Sequence, residues 1–155
     1  MCSSDLEEIE GIPFKGFIDR IDTDDETFTT IDYKTGQIGG VINGIKNGTE
    51  LQIPIYTEMA GRRLKKEPAG AFLYSIKNQK RKSGIVNKDL KNHTFAKKRC
   101  DFAVEPSDFE ELIKLGLKKA VEYVHKIRAG QFEAAPEKCE TYCDWKDICR
   151  YNKYV

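Results

Sequence analysis

The sequence contains two stretches that together predict a β-hairpin, Gly16-Phe17-Ile18-Asp19-Arg20-Ile21-Asp22 and Ile31-Asp32-Tyr33-Lys34-Thr35-Gly36. The segments around them, residues 12–21 and 27–34, are rich in β-branched and aromatic residues, and an Asp/Glu-rich turn separates them. If the chain turns tightly about residues 25 and 26, antiparallel pairing puts Asp19 opposite Asp32. Because side chains alternate along a strand, Lys34 then shares a face with Asp32.

This hairpin would hold two carboxylates beside an ammonium group. Carboxylates directly across a ladder have Cβ atoms about 4.5–5.5 Å apart, which is close enough to share a hard cation such as Mg²⁺ or Mn²⁺. The cation would polarise a phosphate and lower the pKa of its water, while Lys34 orients that water or stabilises the transition state. Asp19, Asp32 and Lys34 therefore predict phosphodiester hydrolysis. The alternative is that Asp19 and Arg20 are ordinary polar residues of a strand and that Lys34 is a surface lysine in a Lys-Thr-Gly turn at a strand end.

The remaining patterns predict a mixed sheet with helices. In chain order they indicate a Gly/Asn-rich connection over 36–48, a helix over 49–64, a strand over 69–76, a basic loop, a strand around 94–104 and a long helix over 106–129. This order of strand pair, helix, strands and long helix is typical of an α/β or α+β domain.

Composition excludes several classes of protein. The chain has 155 residues, of which 39% are hydrophobic and 33% charged, so it is neither a membrane protein nor a disordered chain. It contains no apolar run of 18 residues, and its first residues lack the basic and apolar parts of a secretion signal. We expect one globular domain over residues 1–155, located in the reducing cytoplasm and without a membrane partner.

The net charge of +1 conceals a strongly basic segment. Residues 62–100 carry 13 basic and 2 acidic side chains, a distribution expected of a protein that binds a phosphate backbone. The candidate DNA-binding residues in this segment are Arg62, Arg63, Lys80, Arg81 and Lys82. The alternative is a solvated, lysine-rich surface that balances an acidic segment.

Gln52 and Tyr56 are four residues apart at the start of the helix predicted over 49–64, so they share a face. Near the two carboxylates they could hold a phosphate or a base. The alternative is a helix with one buried tyrosine.

Three cysteines lie close together near the end of the sequence, in the pattern Cys139-x3-Cys143-x5-Cys149. This crowding favours a cluster or metal site over core cysteines, and a fourth ligand is needed. Cys2, Cys100, His93 and His125 are the candidates for that ligand. Both a four-cysteine iron–sulfur cluster and a zinc site fit the pattern, and free thiols in an apolar tail are the alternative.

Taken in order, these patterns resemble one known family, the RecB-like nucleases of the PD-(D/E)XK superfamily. The resemblance is greatest to its iron–sulfur group, which contains AddB-type recombination nuclease subunits and CRISPR adaptation nucleases. The two hairpin stretches look like the family's second and third motifs, and Leu51-Gln52-Ile53-Pro54-Ile55-Tyr56 looks like its Gln-x3-Tyr motif. Residues 127–149 resemble the approach to its cysteine cluster.

The resemblance implies an α/β fold with a restriction-endonuclease-like core, in which helices flank a mixed central sheet. It also implies a metal-dependent, exonuclease-type deoxyribonuclease that acts in DNA recombination and repair beside a helicase or recombination subunit. The implied roles are Asp19 and Asp32 as metal ligands, the Tyr33 carbonyl as a further metal ligand, Lys34 as the catalytic lysine, and Gln52 and Tyr56 as DNA contacts.

By the same resemblance, Cys139, Cys143 and Cys149 would bind a [4Fe–4S] cluster, with Cys2 as a candidate fourth ligand, and residues 136–155 would form a cysteine-cluster tail. The sequence departs from the family in having no histidine before Asp19 and three rather than two residues between the first clustered cysteines. We therefore expect a C-terminal piece of a longer protein or a shortened relative. A non-catalytic DNA-binding or scaffold module and a zinc-ribbon-like interaction module are the competing hypotheses.

Overall fold

The computed structural model describes residues 5–94 and 102–132. The strands are β1 (Asp5–Ile9), β2 (Ile12–Gly16), β3 (Arg20–Thr23), β4 (Thr27–Lys34), β5 (Glu67–Ser75), β6 (Lys80–Asn87) and β7 (Ala103–Val104). The helices are α1 (Val41–Asn47), α2 (Gln52–Leu64) and α3 (Pro106–Arg128), and a short 3-10 helix spans Lys91–Thr94. Within this part of the chain, no helix combines the length and the apolar character that crossing a bilayer requires.

The larger sheet is mixed and has the strand order β3-β4-β5-β6-β7. β3 and β4 are antiparallel, β4 and β5 are parallel, β5 and β6 are antiparallel, and β6 and β7 are parallel. The connection between the parallel strands β4 and β5 carries both α1 and α2, as a parallel crossover requires. The predicted α/β fold with a restriction-endonuclease-like core is thus confirmed.

The register predicted for the hairpin is confirmed, although one of its strands is shorter than predicted. Arg20 pairs with Ile31 and Thr23 with Phe28, and the same register extended by one residue puts Asp19 opposite Asp32. The segment 12–21 is not one strand, however. It breaks after Gly16, because β2 pairs with β1 in a separate two-stranded sheet and only β3 joins β4.

The turn between β3 and β4 is organised by Asp24. Its carboxylate accepts backbone N–H bonds from Glu26 at 3.0 Å and from Thr27 at 2.7 Å, and it contacts the His93 ring at 2.6 Å. The bond from Thr27 and the contact with His93 hold the pKa of the Asp24 carboxyl well below its usual range. This bonding pattern explains why an acidic sequence forms a tight turn.

Two further predictions were wrong. The Gly/Asn-rich segment 36–48 contains α1, whose Val41 and Ile45 are buried in the core and whose end is capped by Gly48 at φ 78°. The basic loop contains β6, because the apolar residues that follow its lysines and arginine are buried against β5 and pair with it. The long helix is confirmed over Pro106–Arg128. Of the strand expected around 94–104, the structure describes only β7 and its immediate neighbours.

The main core lies between the larger sheet and the helices. Its buried members come from α1, α2, β5, β6 and α3: Val41, Ile45, Ile53, Ala71, Leu73, Ile85, Phe109, Leu112 and Ile113. Backbone proximity divides the chain into two compact units, residues 1–121 and 122–155, with the boundary inside α3. The first unit contains the seven described strands and the candidate site. The prediction of one domain with a cysteine-bearing tail over 136–155 stays a prediction, since that tail lies outside the described residues.

Candidate active site

The candidate site forms where β4 ends, on the face of the sheet that carries the main core. Asp32 pairs with Leu73 of β5, so its side chain points to the same face as that core residue. The residue is only 4% exposed. Lys34 lies two residues further on and therefore shares this face, and its Nζ is 2.7 Å from Oδ2 of Asp32. The sequence thus places a carboxylate and an ammonium group together at a strand end, as predicted.

Gln52 connects these two groups. It is the first residue of α2, and its Nε2 donates to Oδ1 of Asp32 at 2.9 Å while its Oε1 accepts a hydrogen bond from Nζ of Lys34. One amide therefore contacts both members of the ion pair, with its donor toward the carboxylate and its acceptor toward the ammonium. This arrangement sets the orientation of both side chains.

The second oxygen of Asp32 is only partly satisfied. Among the described residues, Oδ2 accepts no hydrogen bond although it is shielded from solvent, and its ion pair with Lys34 is its polar contact. A buried carboxylate oxygen normally accepts hydrogen bonds or coordinates a metal, because its desolvation is costly. This oxygen therefore retains the capacity to accept a cation.

Asp19 lies beside this cluster, just before β3. It is exposed, and its Oδ2 accepts the backbone N–H of Tyr33 at 2.8 Å. In an extended strand, the N–H and C=O of one residue point to the same edge of the strand. The Lys34 carbonyl points to the opposite edge, toward β5, because it accepts a hydrogen bond from the backbone N–H of Ile76, which follows β5. The Tyr33 carbonyl is therefore directed to the edge where Asp19 lies.

Tyr56 extends the cluster toward β2. Its hydroxyl accepts a hydrogen bond from Nε2 of Gln52 at 3.2 Å. Its ring packs on Gly16, where an added Cβ would lie only 2.6 Å from Cε1 of the tyrosine. Gly16 is thus a site residue that sequence reasoning missed as such. Gly16 belongs to the first hairpin stretch, but its close contact with the Tyr56 ring depends on where α2 packs, which the sequence does not show.

The basic residues predicted to bind DNA occupy different places. Arg62 pairs with Glu58 at 2.6 Å and donates to the carbonyl of Glu8, which ties the end of α2 to β1. It lies about three turns from Gln52, near the far end of that helix. Arg63 is exposed on the same last turn.

The three consecutive basic residues of β6 also lie in different surroundings. Arg81 pairs with Tyr74, and its guanidinium stacks on the Phe72 ring, 4.4 Å from the centroid. This is the sheet face opposite Asp32. Lys80 is exposed, and Lys82 lines a cavity next to the strand ends. The DNA-binding roles of these residues stay predictions.

The cysteine site lies outside the described residues, as do Cys2, Cys100, Cys139, Cys143 and Cys149 themselves. Of the candidate histidine ligands, His93 contacts Asp24 and His125 is exposed on α3. Within residues 5–94 and 102–132, no three His, Cys, Asp or Glu side chains gather as a metal-binding group. The two carboxylates at the hairpin remain the candidate ligands, and Mg²⁺ is commonly bound by one or two carboxylates together with water and substrate phosphate.

Comparison with known proteins agrees with this geometry. The chain matches the PD-(D/E)XK nuclease superfamily over residues 3–150 and belongs to that superfamily, so the predicted family is confirmed. It is also similar to one subunit of the ATP-dependent helicase/deoxyribonuclease of Carboxydothermus hydrogenoformans (strain ATCC BAA-161 / DSM 6008 / Z-2901). The two are 26% identical over an alignment of 191 residues, which covers 87% of this chain and 17% of the relative. The chain thus spans about a sixth of the length of that protein.

Proposed function

We propose that this chain is a metal-dependent nuclease domain that hydrolyses phosphodiester bonds in DNA. The observation that carries the proposal is the cluster of Asp32, Lys34 and Gln52 at the end of β4, in which a buried carboxylate oxygen accepts no hydrogen bond from any described residue. Membership of the PD-(D/E)XK nuclease superfamily supports the same chemistry. A non-catalytic scaffold module would not need an ion pair that is bridged by an amide and lies at a partly open strand end.

The donor set fits a hard divalent cation, Mg²⁺ or Mn²⁺. Asp32 and Asp19 would hold it through their carboxylates, and the Tyr33 carbonyl is directed to the same edge. When bound, such an ion polarises a phosphate oxygen and lowers the pKa of its water. The acidic pair and the carbonyl are all oxygen ligands, which Mg²⁺ and Mn²⁺ prefer.

Lys34 is the residue that acts on the reacting groups. Its Nζ contacts the Asp32 carboxylate on one side and donates a hydrogen bond to the side-chain oxygen Oε1 of Gln52 on the other, and the lysine side chain is 33% exposed. A lysine held in this way can direct its remaining N–H bonds to the scissile phosphate or to the attacking water. An ammonium fixed before the reaction stabilises charge that develops in the transition state.

The substrate and the partner are proposed from the relative. Its name describes a helicase/deoxyribonuclease subunit, which supports DNA as the substrate and a helicase-containing complex as the setting. We infer that this chain cuts DNA in recombination or repair, with exonuclease-type action behind an unwinding partner.

The cysteine tail is proposed to hold a [4Fe–4S] cluster through Cys139, Cys143 and Cys149. Three thiols within eleven residues support this assignment, and Cys2 is the candidate fourth ligand. Iron and sulfide analysis after anaerobic reconstitution tests it. About four irons per chain are expected, whereas one zinc without sulfide would favour the structural zinc alternative.

A cleavage assay with end-labelled DNA tests the proposed function. We expect the chain to degrade DNA in Mg²⁺ or Mn²⁺ and to be inactive in EDTA, since both carboxylates need the cation to act on a phosphate. Asp32→Asn serves as the inactive control from the same preparation. DNA binding without cleavage in either metal would contradict the nuclease proposal and favour the non-catalytic DNA-binding module.

Removal of Gln52 should separate catalysis from binding. Gln52→Ala frees both Asp32 and Lys34 from the amide that orients them, so we expect the cleavage rate to fall about 10–100-fold with little change in KM. Tyr56→Phe is the matched control, because it removes only the hydroxyl that accepts the third Gln52 bond. Its rate should stay close to that of the wild type. A rise in KM without a fall in kcat would make Gln52 a DNA contact instead.

A further inference from the structure

A cavity of about 460 Å³ opens next to the candidate active site. The residues that matter for its chemistry are Thr35, Gly36, Ser75, Lys77, Asn78 and Lys82. They come from the segment that follows β4 and from the β5–β6 hairpin, in which Ser75 ends β5 and Lys82 lies near the start of β6. The cavity is therefore built entirely within the unit that carries Asp32 and Lys34.

The cavity is positively charged. Lys77 and Lys82 line it, and no aspartate or glutamate does. Neither lysine has an ion pair or hydrogen bond with any of the described residues, whereas Lys88, Lys114 and Lys126 are each paired with a glutamate. Two uncompensated ammonium groups at the rim of one cavity favour an anionic ligand.

Local structure sets the backbone positions of the two lysines. Ser75 is 1% exposed, and its Oγ accepts hydrogen bonds from the backbone N–H of Asn78 at 3.2 Å and from its Nδ2 at 2.8 Å. These bonds hold the turn that carries Lys77. Lys82 lies at a register irregularity, because Leu73 pairs with Ser83 while Tyr74 pairs with Arg81. A bulge of this kind redirects a side chain and is common beside active sites.

The cavity begins one strand away from the catalytic lysine. Lys34 pairs with Ser75, and neighbouring strands lie about 4.8 Å apart. Thr35 and Gly36 continue directly from Lys34 into the cavity wall. If a DNA strand has one phosphate at Lys34 and runs across the ends of β4 and β5, its next phosphate lies at the cavity, where Lys77 and Lys82 are.

We propose that this cavity is a subsite for the phosphate next to the one that is cut, on the same DNA strand, and that Lys77 and Lys82 neutralise it. The proposal rests on the proposed function for the position of the strand, but it concerns binding alone. The ligand is an internal phosphodiester. Arg81, although adjacent to Lys82, contributes nothing here because it faces the other side of the sheet.

The test measures how single neutral phosphates affect binding. A short fluorescein-labelled single-stranded oligonucleotide is bound to the 155-residue chain in Ca²⁺, with methylphosphonate replacing one phosphate at a time. We expect one position to weaken wild-type binding and to have a clearly smaller effect in Lys82→Ala, in which only Lys77 remains to neutralise that phosphate. The same variant should lower the slope of log K against log salt by about 0.7, the loss of one single-strand phosphate contact. Lys77→Ala should behave in the same way.

Lys118→Ala, on the exposed face of α3, is the matched control, since it removes the same charge but lies outside the cavity lining. It should keep the full methylphosphonate penalty. Equal penalties in the wild type, Lys82→Ala and Lys77→Ala would overturn the subsite, as would a chain that binds no oligonucleotide. An effect confined to the terminal phosphate would also overturn it. A chain that shows the coupling but never cuts DNA would refute the proposed nuclease and would still support a phosphate-binding site at this cavity.

Discussion

Replacing Lys34 with alanine should lower the rate of DNA cleavage about 10²–10³-fold while DNA affinity stays nearly constant. The ammonium group is held 2.7 Å from Asp32 and is hydrogen-bonded to Gln52, so it is positioned before substrate arrives. Its removal takes away charge stabilisation in the transition state but only one of many cationic side chains that attract DNA. Single-turnover cleavage and fluorescence anisotropy measure the two effects separately.

A stability measurement and two further variants, Lys34→Arg and Lys118→Ala, keep this test interpretable. Lys34→Ala leaves the buried Asp32 without its cation, so stability must be followed by urea unfolding alongside activity. Lys34→Arg keeps the charge but replaces a compact ammonium group by a planar guanidinium group. We expect this variant to fold normally and to cut DNA slowly. Lys118→Ala, on the exposed face of α3, should cut at the wild-type rate. Wild-type cleavage by Lys34→Ala would remove this lysine from the mechanism.

The position of the proposed catalytic pair, Asp32 and Lys34, could be predicted because local rules determine it. Alternation along β4 puts Asp32 and Lys34 on one face, and a turn between Asp24 and Thr27 sets the hairpin register. Both features depend on residues within one hairpin. The fold class followed in the same way from the order of the elements.

Features that depend on distant partners could not be predicted from the sequence. α1 forms in a Gly/Asn-rich segment because Val41 and Ile45 fill the core between sheet and helices. Likewise, Gly16 is required for its close approach to Tyr56 of α2. The four-residue spacing of Val41 and Ile45 is compatible with a helix, but the surrounding glycines and asparagines favour a loop, and the Gly16 contact leaves no pattern in the sequence.

The charge composition identifies a basic segment, but it does not show which of its residues are available to contact DNA. Arg81 and Lys82 are adjacent in β6, yet one stacks on Phe72 and the other lines the cavity beside the active site. A register irregularity between β5 and β6 separates them. The prediction that the whole segment contacts DNA therefore becomes a specific prediction for Lys77 and Lys82, while Arg62 and Arg81 already have partners within the protein.

Asp32→Asn should weaken Mg²⁺ or Mn²⁺ binding more than about tenfold and abolish cleavage, because it removes the charge of a metal ligand while keeping its shape. Asparagine can still accept the Gln52 hydrogen bond through its oxygen, and Lys34 is exposed enough to remain solvated, so the fold should persist. Isothermal titration with Mn²⁺ measures the affinity directly. Asp25→Asn, which removes an exposed carboxylate from the hairpin turn, is the matched control and should bind Mn²⁺ like the wild type. Equal metal affinity in Asp32→Asn and the wild type would place the cation elsewhere and refute the acidic pair as its ligands.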